Sequence, residues 1–185
     1  TTLYKAAIRK AHRVVFQNEN DMSLFTQLGI TKEERNIRVF GSGVDLSKFH
    51  PITAEHCVNK KRNFVMVARL LEEKGVLLYL EAAHTIKSIH STTHFFLIGS
   101  PPNVENYPIN KKLIDSYSEY VEHIEHSDEI ATLLQQMHCM VLPTYYAEGI
   151  PKSLIEALAT GLAIITTKNG GCIETIDKNG KLVEM

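Results

Sequence analysis

The feature that most restricts the fold of this sequence is an alternation of short apolar runs with segments of helical spacing. The apolar runs are rich in β-branched and aromatic residues: NFVMVA (63–68), HFFLIG (94–99), CMVLP (139–143) and LAIITT (162–167). Continuous apolar runs are typical of strands buried on both faces, and their alternation with helices is typical of a parallel sheet. The sequence therefore predicts a Rossmann-like α/β domain, a parallel sheet with helices on both faces.

Weaker patterns fill in the remaining elements. A helix is predicted at the start of the chain, followed by strands at 13–17 and 36–40, with a helix near 21–28 between them. Further helices are predicted at 109–120, 128–137 and 151–160, with a short strand at 121–124. The spacing of Leu78, Ala82, Ile86 and Ile89 predicts the buried face of another helix. Residues 48–61 are polar, contain Pro51 and predict a linker or exposed loop.

Composition excludes several classes of protein. The 185 residues are 44% hydrophobic and 22% charged, as in a soluble globular protein of one domain, or of one domain and part of another. A net charge of -1 gives no electrostatic reason to expect nucleic acid, and no apolar run reaches the roughly 20 residues that span a bilayer. Cys57, Cys139 and Cys172 are far apart, which fits a reducing cytoplasm, and the histidines lack metal-ligand spacing. The chain opens directly in structured sequence, so we expect a piece of a longer protein.

Ligands of such sheets bind in the loops that follow the strands. The loop after the first main strand, VARLLEEKGV, carries Arg69 and Lys74. Two cations at this edge suit a diphosphate. The alternative is a solvated loop in which Lys74 pairs with Glu72 or Glu73.

The segment YYAEGIPKSLIEALATG places two carboxylates around a helix start. Pro151 suits the first helical position, and the amides that follow it would form an anion site. Gly149 would leave those amides open to a ligand. Glu156 lies about 7 to 8 Å further along the axis, within reach of a ribose, and Glu148 would reach hydroxyls on the other side of the diphosphate.

Each carboxylate also has a simpler interpretation. Glu148 could be only a favourable acid near a helix N-terminus, and Glu156 an exposed helix residue paired with Lys152. A glycosidase pair of carboxylates is disfavoured, because an anion-binding helix end would be misplaced between them. The core-facing stripe of this helix is predicted to be Leu154, Ile155, Leu158 and Ala159.

Other nucleotide-binding signatures fail. GSGVDL (41–46) offers two glycines but lacks the third glycine of the dinucleotide fingerprint and opens no clear helix. No Walker A lysine motif and no nucleophile-elbow serine occurs in the sequence.

Taken in order, GSGVDLSKF, VARLLEEKG, LPTYYAEGIPKSLIEALATG and TTKNGGCIETI resemble the retaining glycosyltransferases of family 4, which have the two-domain GT-B fold. The acids Glu148 and Glu156 are similar to that family's E-x7-E motif. The wording of GIPKSLIEA and GCIET is most similar to members that build bacterial capsule, exopolysaccharide or lipid-linked glycans.

The resemblance implies a role for each site residue. Arg69 and Lys74, with Lys152 and Ser153, would bind the diphosphate of a nucleotide-sugar. Glu148 would face the donor sugar as the catalytic residue, beside Gly149, Ile150 and Pro151. Glu156 would bind the ribose. The loop at Ile124 and Glu125 would read the base, and Glu125 stands where the family often has glycine, which weakens the choice of uridine.

The resemblance also implies how the protein works as a whole. Residues 1–41 would be the tail of an N-terminal acceptor domain, and residues 42–185 the truncated C-terminal donor domain, inactive alone. The expected donor is a nucleotide-sugar, with UDP as the expected nucleotide, and the expected acceptor is a glycan or polyprenyl-linked sugar. No cofactor or metal is expected. The expected location is cytoplasmic, with peripheral association at the inner face of the plasma membrane. The alternatives are a GT-B nucleotide-sugar epimerase and a noncatalytic nucleotide-sugar-binding subunit.

Overall fold

The computed structural model describes residues 2–52 and 61–184. Its first part holds two short parallel strands that pair only with each other among the described residues. The elements of this part are α1 (Thr2–Ile8), β1 (Val14–Phe16), α2 (Glu19–Gln27) and β2 (Asn36–Arg38). The predicted loop at 48–61 has no regular secondary structure at 48–52 and 61, and its residues 53–60, with Cys57, lie outside the described residues.

The second part is a six-stranded sheet in which every pairing is parallel. Short 3-10 turns at Glu72–Lys74 and Gly170–Thr175 interrupt two of its loops. Its elements are β3 (Arg62–Val67), α3 (Val76–Ile89), β4 (Thr93–Ile98), α4 (Lys111–Asp115), β5 (Val121–Ile124), α5 (Ile130–Leu134), β6 (Cys139–Leu142), α6 (Lys152–Ala159), β7 (Ala163–Thr167) and β8 (Gly180–Val183).

The strand order is β5-β4-β3-β6-β7-β8, so the chain runs outward from β3 in one direction and then from β6 in the other. Because crossovers between parallel strands are right-handed, this reversal puts α3 and α6 on opposite faces of the sheet. The Rossmann-like fold prediction is confirmed. The reversal also opens a crevice at the carboxyl ends of β3 and β6, which is where sheets of this type bind ligands.

The core lies where the central strands meet the helices. Val65, Met66, Leu97, Met140 and Ile164 of the sheet are fully buried, as the continuous apolar runs predict. Burying each such side chain contributes about 1.5–3 kcal/mol, so the central strands hold the loops at their carboxyl ends in fixed positions.

The predicted buried faces of two helices are wrong in part. In α3, Leu78 is 44% and Ile89 69% exposed, whereas the fully buried positions are Val76, Tyr79, Leu80 and Ala83. Apolar residues occur around most of this helix, so spacing alone did not identify the inner face. In α6, the fully buried residues are Leu154 and Ala157, while Ile155, Leu158 and Ala159 are half-buried.

Other differences concern length. Both α4 and α5 are shorter than predicted, and β8 was not predicted at all. The β8 segment is an edge strand of four residues that includes a glycine and the exposed Lys181, so it lacks the continuous apolar run that marks a central strand.

Candidate functional site

A cleft of about 420 Å³ lies at the crevice between β3 and β6. It is bounded by the loops after β3, β5 and β6 and by the first turn of α6. Among its lining residues are Arg69, Lys74, Glu125, Glu148, Pro151, Lys152 and Ser153. The structure therefore brings most of the predicted site residues together, because loops that follow neighbouring parallel strands meet at one edge of the sheet.

Lys74 and Glu148 form an ion pair in the wall of this cleft. Lys74 Nζ lies 2.6 Å from Glu148 Oε1, and the two side chains are 10% and 19% exposed. Lys74 Nζ also lies 5.2 Å from the centre of the Tyr146 ring. The alternative in which Lys74 pairs with Glu72 or Glu73 is thus not observed. The simpler interpretation of Glu148 as an acid near a helix N-terminus does not account for its ion pair with Lys74.

The approach of the two loops depends on Gly75 and on the main chain of Glu73. Gly75 has φ +76°, and a Cβ there would collide with the carbonyl of Pro143, directly before the Glu148 loop. The Glu73 carbonyl accepts the amides of Tyr145 at 3.0 Å and Tyr146 at 3.2 Å. These contacts across the switch point bring Lys74 next to Glu148.

Arg69, one residue beyond Ala68, is exposed at the cleft. Its guanidinium makes no hydrogen bond or ion pair within residues 2–52 and 61–184. Its five N–H donors are therefore available to a bound anion, and a guanidinium binds phosphate in bidentate fashion.

The first turn of α6 contributes main-chain amides to the same cleft. The helix begins at Lys152, one residue later than predicted, because Pro151 has an extended ψ of 127° and acts as the N-cap. Leu154 N and Ile155 N donate to the Pro151 carbonyl, at 3.1 and 3.2 Å. In the described part of the chain, the N–H groups of Lys152 and Ser153 find no acceptor, which leaves them for an anion.

Glu156 lies one turn further along α6 and does not line the cleft. Its Oε1 is 3.5 Å from Lys152 Nζ, so the predicted alternative of an i−4 pair is observed. The Glu156 side chain is only 13% exposed, however, so it is not the exposed helix residue of that alternative.

Gly149 lies against the segment that follows β1. A Cβ at Gly149 would meet the flexible side chain of Gln17, mainly its Oε1 end, so the Glu148 loop packs closely against the segment after β1. Beside it, the buried Asn18 donates from Nδ2 to the Glu148 carbonyl at 3.2 Å. Ile150 is buried and lies against Gly41. The Glu148 loop is thus in contact with the N-terminal part of the chain.

The predicted base-reading loop is divided between cleft and core. Glu125 lines the cleft together with His126 and Ser127, whereas Ile124 ends β5 behind it. The Ile124 carbonyl accepts Gly99 N at 2.9 Å, and the Glu125 carbonyl accepts Ser100 Oγ at 2.8 Å. This part of the main chain is therefore fixed by the loop after β4.

A thiol lies behind the Lys74–Glu148 pair. Burial raises the pKa of Cys172, the Glu148 charge raises it as well, and Thr166 and Lys74 lower it. A buried thiol with a raised pKa is a poor nucleophile, so Cys172 acts as packing rather than as a reactive group. Within the described ranges, no group of three or more His, Cys, Asp or Glu residues could hold a metal ion.

With this geometry established, the family is decided by a sequence match. Residues 52–184 match the family described as Glycosyl transferases group 1. The chain belongs to that family.

The sequence of this group 1 domain is similar to those of bacterial glycosyltransferases. It is 32% identical to the N,N'-diacetylbacillosaminyl-diphospho-undecaprenol alpha-1,3-N-acetylgalactosaminyltransferase of Campylobacter jejuni, over 95% of this chain and 47% of that protein. It is 29% identical to the UDP-Gal:alpha-D-GlcNAc-diphosphoundecaprenol alpha-1,3-galactosyltransferase of Escherichia coli, over 80% of this chain and 41% of that protein. The chain thus spans less than half the length of these relatives.

Solved structures of similar fold include HepE of Anabaena in complex with UDP, with a TM-score of 0.80 and 19% identity over 96% of this chain and 51% of that one. This similarity confirms the architecture of the group 1 domain. No helix in the described part of the domain is long and apolar enough to cross a membrane.

Sequence reasoning missed several residues that hold the site of this group 1 domain. Thr144 contacts the Glu148 carboxylate, and Gln17 and Asn18 contact the main chain of the same loop. Thr144 could have been found, because it follows the apolar run CMVLP within the motif that carries Glu148. The contacts of Gln17 and Asn18 cross most of the chain and have no local signal.

Proposed function

We propose that this chain is the donor-binding half of a retaining glycosyltransferase of family 4. The enzyme would transfer a sugar from a nucleotide diphosphate to a glycan or lipid-linked acceptor in surface polysaccharide synthesis. The observation that carries the proposal is the cleft itself, in which Arg69, Lys74 and the free amides of Lys152 and Ser153 surround one space, with Glu148 in its wall.

The diphosphate is proposed to lie between Arg69 and the first turn of α6. Arg69 would bind as a bidentate fork, and the helix end would add two N–H donors and the positive end of its dipole. Lys74 has three donors, of which one is directed to Glu148, so the same ammonium would bridge this carboxylate and a phosphate oxygen.

The two carboxylates are proposed to bind the sugars on either side of that diphosphate. Glu148 would accept hydroxyls of the donor sugar, beside Gly149, Ile150 and Pro151. Glu156 would bind the ribose after its side chain rotates toward the cleft. That rotation breaks only the 3.5 Å contact of its Oε1 with the exposed Lys152 ammonium. The base would lie against Glu125 and its neighbours.

In the proposed reaction the bond between the anomeric carbon and the diphosphate oxygen breaks, and both electrons remain on the diphosphate. The acceptor oxygen then bonds to the same face of that carbon, which preserves the configuration. Its proton passes to the departing diphosphate, the nearest base on that face. Arg69, Lys74 and the helix amides stabilise the negative charge that develops, and this preorganised electrostatic effect is the main catalytic contribution of the chain. No metal is required in this scheme.

The choice of donor and acceptor is supported by the relatives. The Escherichia coli relative is named for UDP-galactose and a diphosphoundecaprenol-linked acceptor, and HepE was solved with UDP. We therefore propose a UDP-sugar donor, an acceptor domain in the rest of the protein with residues 1–41 as its tail, and a cytoplasmic site of action at the inner membrane face.

A binding and turnover assay on the intact protein tests the proposal. Calorimetry with UDP, GDP and ADP should show preferential binding of UDP, weakened about tenfold or more in Arg69→Ala because charge-assisted hydrogen bonds are lost. Lys168→Ala is the matched control, since Lys168 is an exposed cation of the loop after β7 that pairs with Glu184 outside the cleft. Absence of binding to every nucleotide would contradict the proposal.

Turnover separates the transferase from its alternatives. Incubation with UDP-hexoses and a polyprenyl diphosphate-linked saccharide should yield a glycosylated acceptor whose new linkage keeps the anomeric configuration of the donor, as read by nuclear magnetic resonance. Interconversion of the UDP-hexose without acceptor would instead show an epimerase. Binding without turnover of any donor would show a noncatalytic subunit.

A further inference from the structure

Thr144 is a fully buried threonine located two residues beyond β6. Its hydroxyl lies 3.2 Å from Glu148 Oε1 and 3.1 Å from the Glu73 carbonyl, and it accepts the amide of Tyr146 at 3.2 Å. Because a threonine hydroxyl has one proton, it donates to only one of these two acceptors at a time.

The Glu73 carbonyl is already occupied. It accepts the amide of Tyr145 at 3.0 Å and, at 3.2 Å, that of Tyr146, whose single N–H is shared with Thr144 Oγ1. The Glu148 carboxylate is charged and therefore the stronger acceptor. The Thr144 proton is accordingly directed to Glu148 Oε1.

The position of this hydroxyl is fixed from the other side of the loop. The Thr144 carbonyl accepts hydrogen bonds from Thr167 Oγ1 and from Asn169 Nδ2, and Asn169 Nδ2 lies 2.7 Å from the Tyr146 carbonyl. Thr144 is thus tied to the end of β7, a central strand of the sheet.

Lys74 Nζ binds the same carboxylate oxygen as Thr144, at 2.6 Å from Oε1. The second oxygen, Oε2, receives no hydrogen bond from any residue in the described ranges. We infer that Thr144 is a positioning residue: together with Lys74 it holds Oε1, so that Glu148 presents Oε2 to a hydroxyl of the donor sugar. The inference rests on the proposed function and adds to it the residue that aims the sugar-binding carboxylate.

The test compares Thr144→Val, which removes only the hydroxyl, with Thr144→Ser, which retains it. Valine leaves no orphan amide, since Tyr146 N still donates to the Glu73 carbonyl. Calorimetry on the intact protein measures the affinity for UDP and for the UDP-hexose that binds best in a panel. Thr144→Val should weaken UDP-hexose binding about tenfold while UDP binding stays within about twofold, and Thr144→Ser should restore most of the loss.

Thr93→Val is the matched control, because Thr93 is a buried threonine at the start of β4 whose hydroxyl donates to the His90 carbonyl, far from the cleft. It should leave both affinities unchanged. In a Glu148→Ala background, which removes the acceptor of the Thr144 hydroxyl, Thr144→Val should cause no further loss of UDP-hexose binding. If the valine variant does not fold, Thr144→Ala makes the same comparison.

Two results would overturn the inference alone: unchanged UDP-hexose binding in Thr144→Val, or an equal loss of UDP and UDP-hexose binding that serine does not restore. If the wild-type protein binds neither UDP nor any UDP-hexose, the proposed function fails and the inference fails with it.

Discussion

The two acids around the start of α6 differ in how their partners are placed. Glu148 and Glu156 are both mostly buried, and each lies near a lysine. The lysine beside Glu148 is Lys74, which is itself only 10% exposed and comes from the loop after β3, whereas the lysine beside Glu156 is Lys152, which is 69% exposed and lies on the same helix.

The Lys74–Glu148 pair is therefore expected to stabilise the structure of the cleft, whereas the Lys152–Glu156 pair is expected to contribute little to stability. Solvent screens a buried ion pair only weakly, and removing one partner leaves a buried charge that lowers the free energy of unfolding by several kcal/mol. An exposed i,i+4 pair stabilises a helix by only about 0.2–0.5 kcal/mol. The Lys74–Glu148 pair also joins loops that follow different strands. The pair therefore acts together with the main-chain bonds of Glu73 to hold the loops after β3 and β6 against each other.

The comparison is tested most strongly by Lys74→Met. The substitution leaves the Glu148 charge mostly buried without its cation, so the free energy of unfolding should fall by about 2–4 kcal/mol in urea denaturation. UDP binding should fall as well, because one of the cleft cations is lost. Adding Glu148→Gln should recover most of the stability but not the binding of UDP-hexose. A fall of less than about 0.5 kcal/mol in the single variant would show that the pair is screened by solvent.

A smaller effect is expected from Asn18→Ala. Asn18 is the N-cap of α2, where Oδ1 accepts Asp21 N at 2.7 Å, and its Nδ2 donates to the Glu148 carbonyl. Loss of both interactions should lower the free energy of unfolding by about 1–3 kcal/mol, measured by urea denaturation. UDP-hexose affinity should fall too, since the Glu148 loop loses a long-range support.

Asn110→Ala is the control for Asn18→Ala, because Asn110 caps the short helix α4 at an exposed position with the same kind of bond, from Leu113 N at 3.0 Å. It should cost about 1 kcal/mol or less and leave UDP-hexose binding unchanged. Equal effects of the two variants on ligand binding would show that Asn18 acts only as a helix cap.

The binding roles of the two acids give the next test. Glu156→Ala should weaken UDP binding about tenfold, because the ribose would lose the charge-assisted hydrogen bond proposed for this acid. Glu148→Ala should leave UDP binding nearly unchanged and weaken only the UDP-hexose, since this acid is proposed to face the sugar. Calorimetry with both ligands distinguishes the two patterns, and equal loss of UDP binding in both variants would contradict the division of roles.

The fold and the location of the cleft could be predicted because their signals are local. The apolar runs of β3, β4, β6 and β7 are continuous in the sequence, and a parallel sheet gathers its loops at one edge. The resemblance at VARLLEEKG and AEGIPKSLIEA pointed to the residues that the structure places around that cleft.

The contacts that hold the cleft could not be predicted, because their partners are distant in sequence. Lys74 has two acids directly before it, Glu72 and Glu73, yet it pairs with Glu148 from another strand's loop. Gly149 packs against Gln17 of the N-terminal part, which is more than a hundred residues earlier in the sequence. Helical spacing also predicted the wrong buried face for α3. Leu78 and Tyr79 are adjacent in the sequence and both are hydrophobic, but only Tyr79 is buried.

The smallest expected effect is that of Lys152→Ala, which removes the exposed partner of Glu156. The free energy of unfolding should change by less than about 0.5 kcal/mol, because the pair is local and one partner is solvated. UDP affinity should fall only about twofold to threefold and less at high salt, since the Lys152 amide that is proposed to bind phosphate remains and the lost charge is screened. Urea denaturation and calorimetry at two salt concentrations measure both quantities. A loss of stability as large as that of Lys74→Met would mean that the exposure of the lysine does not decide how strongly these ion pairs stabilise the protein. Any difference between Glu148 and Glu156 would then have to come from their positions relative to the N-terminus of α6.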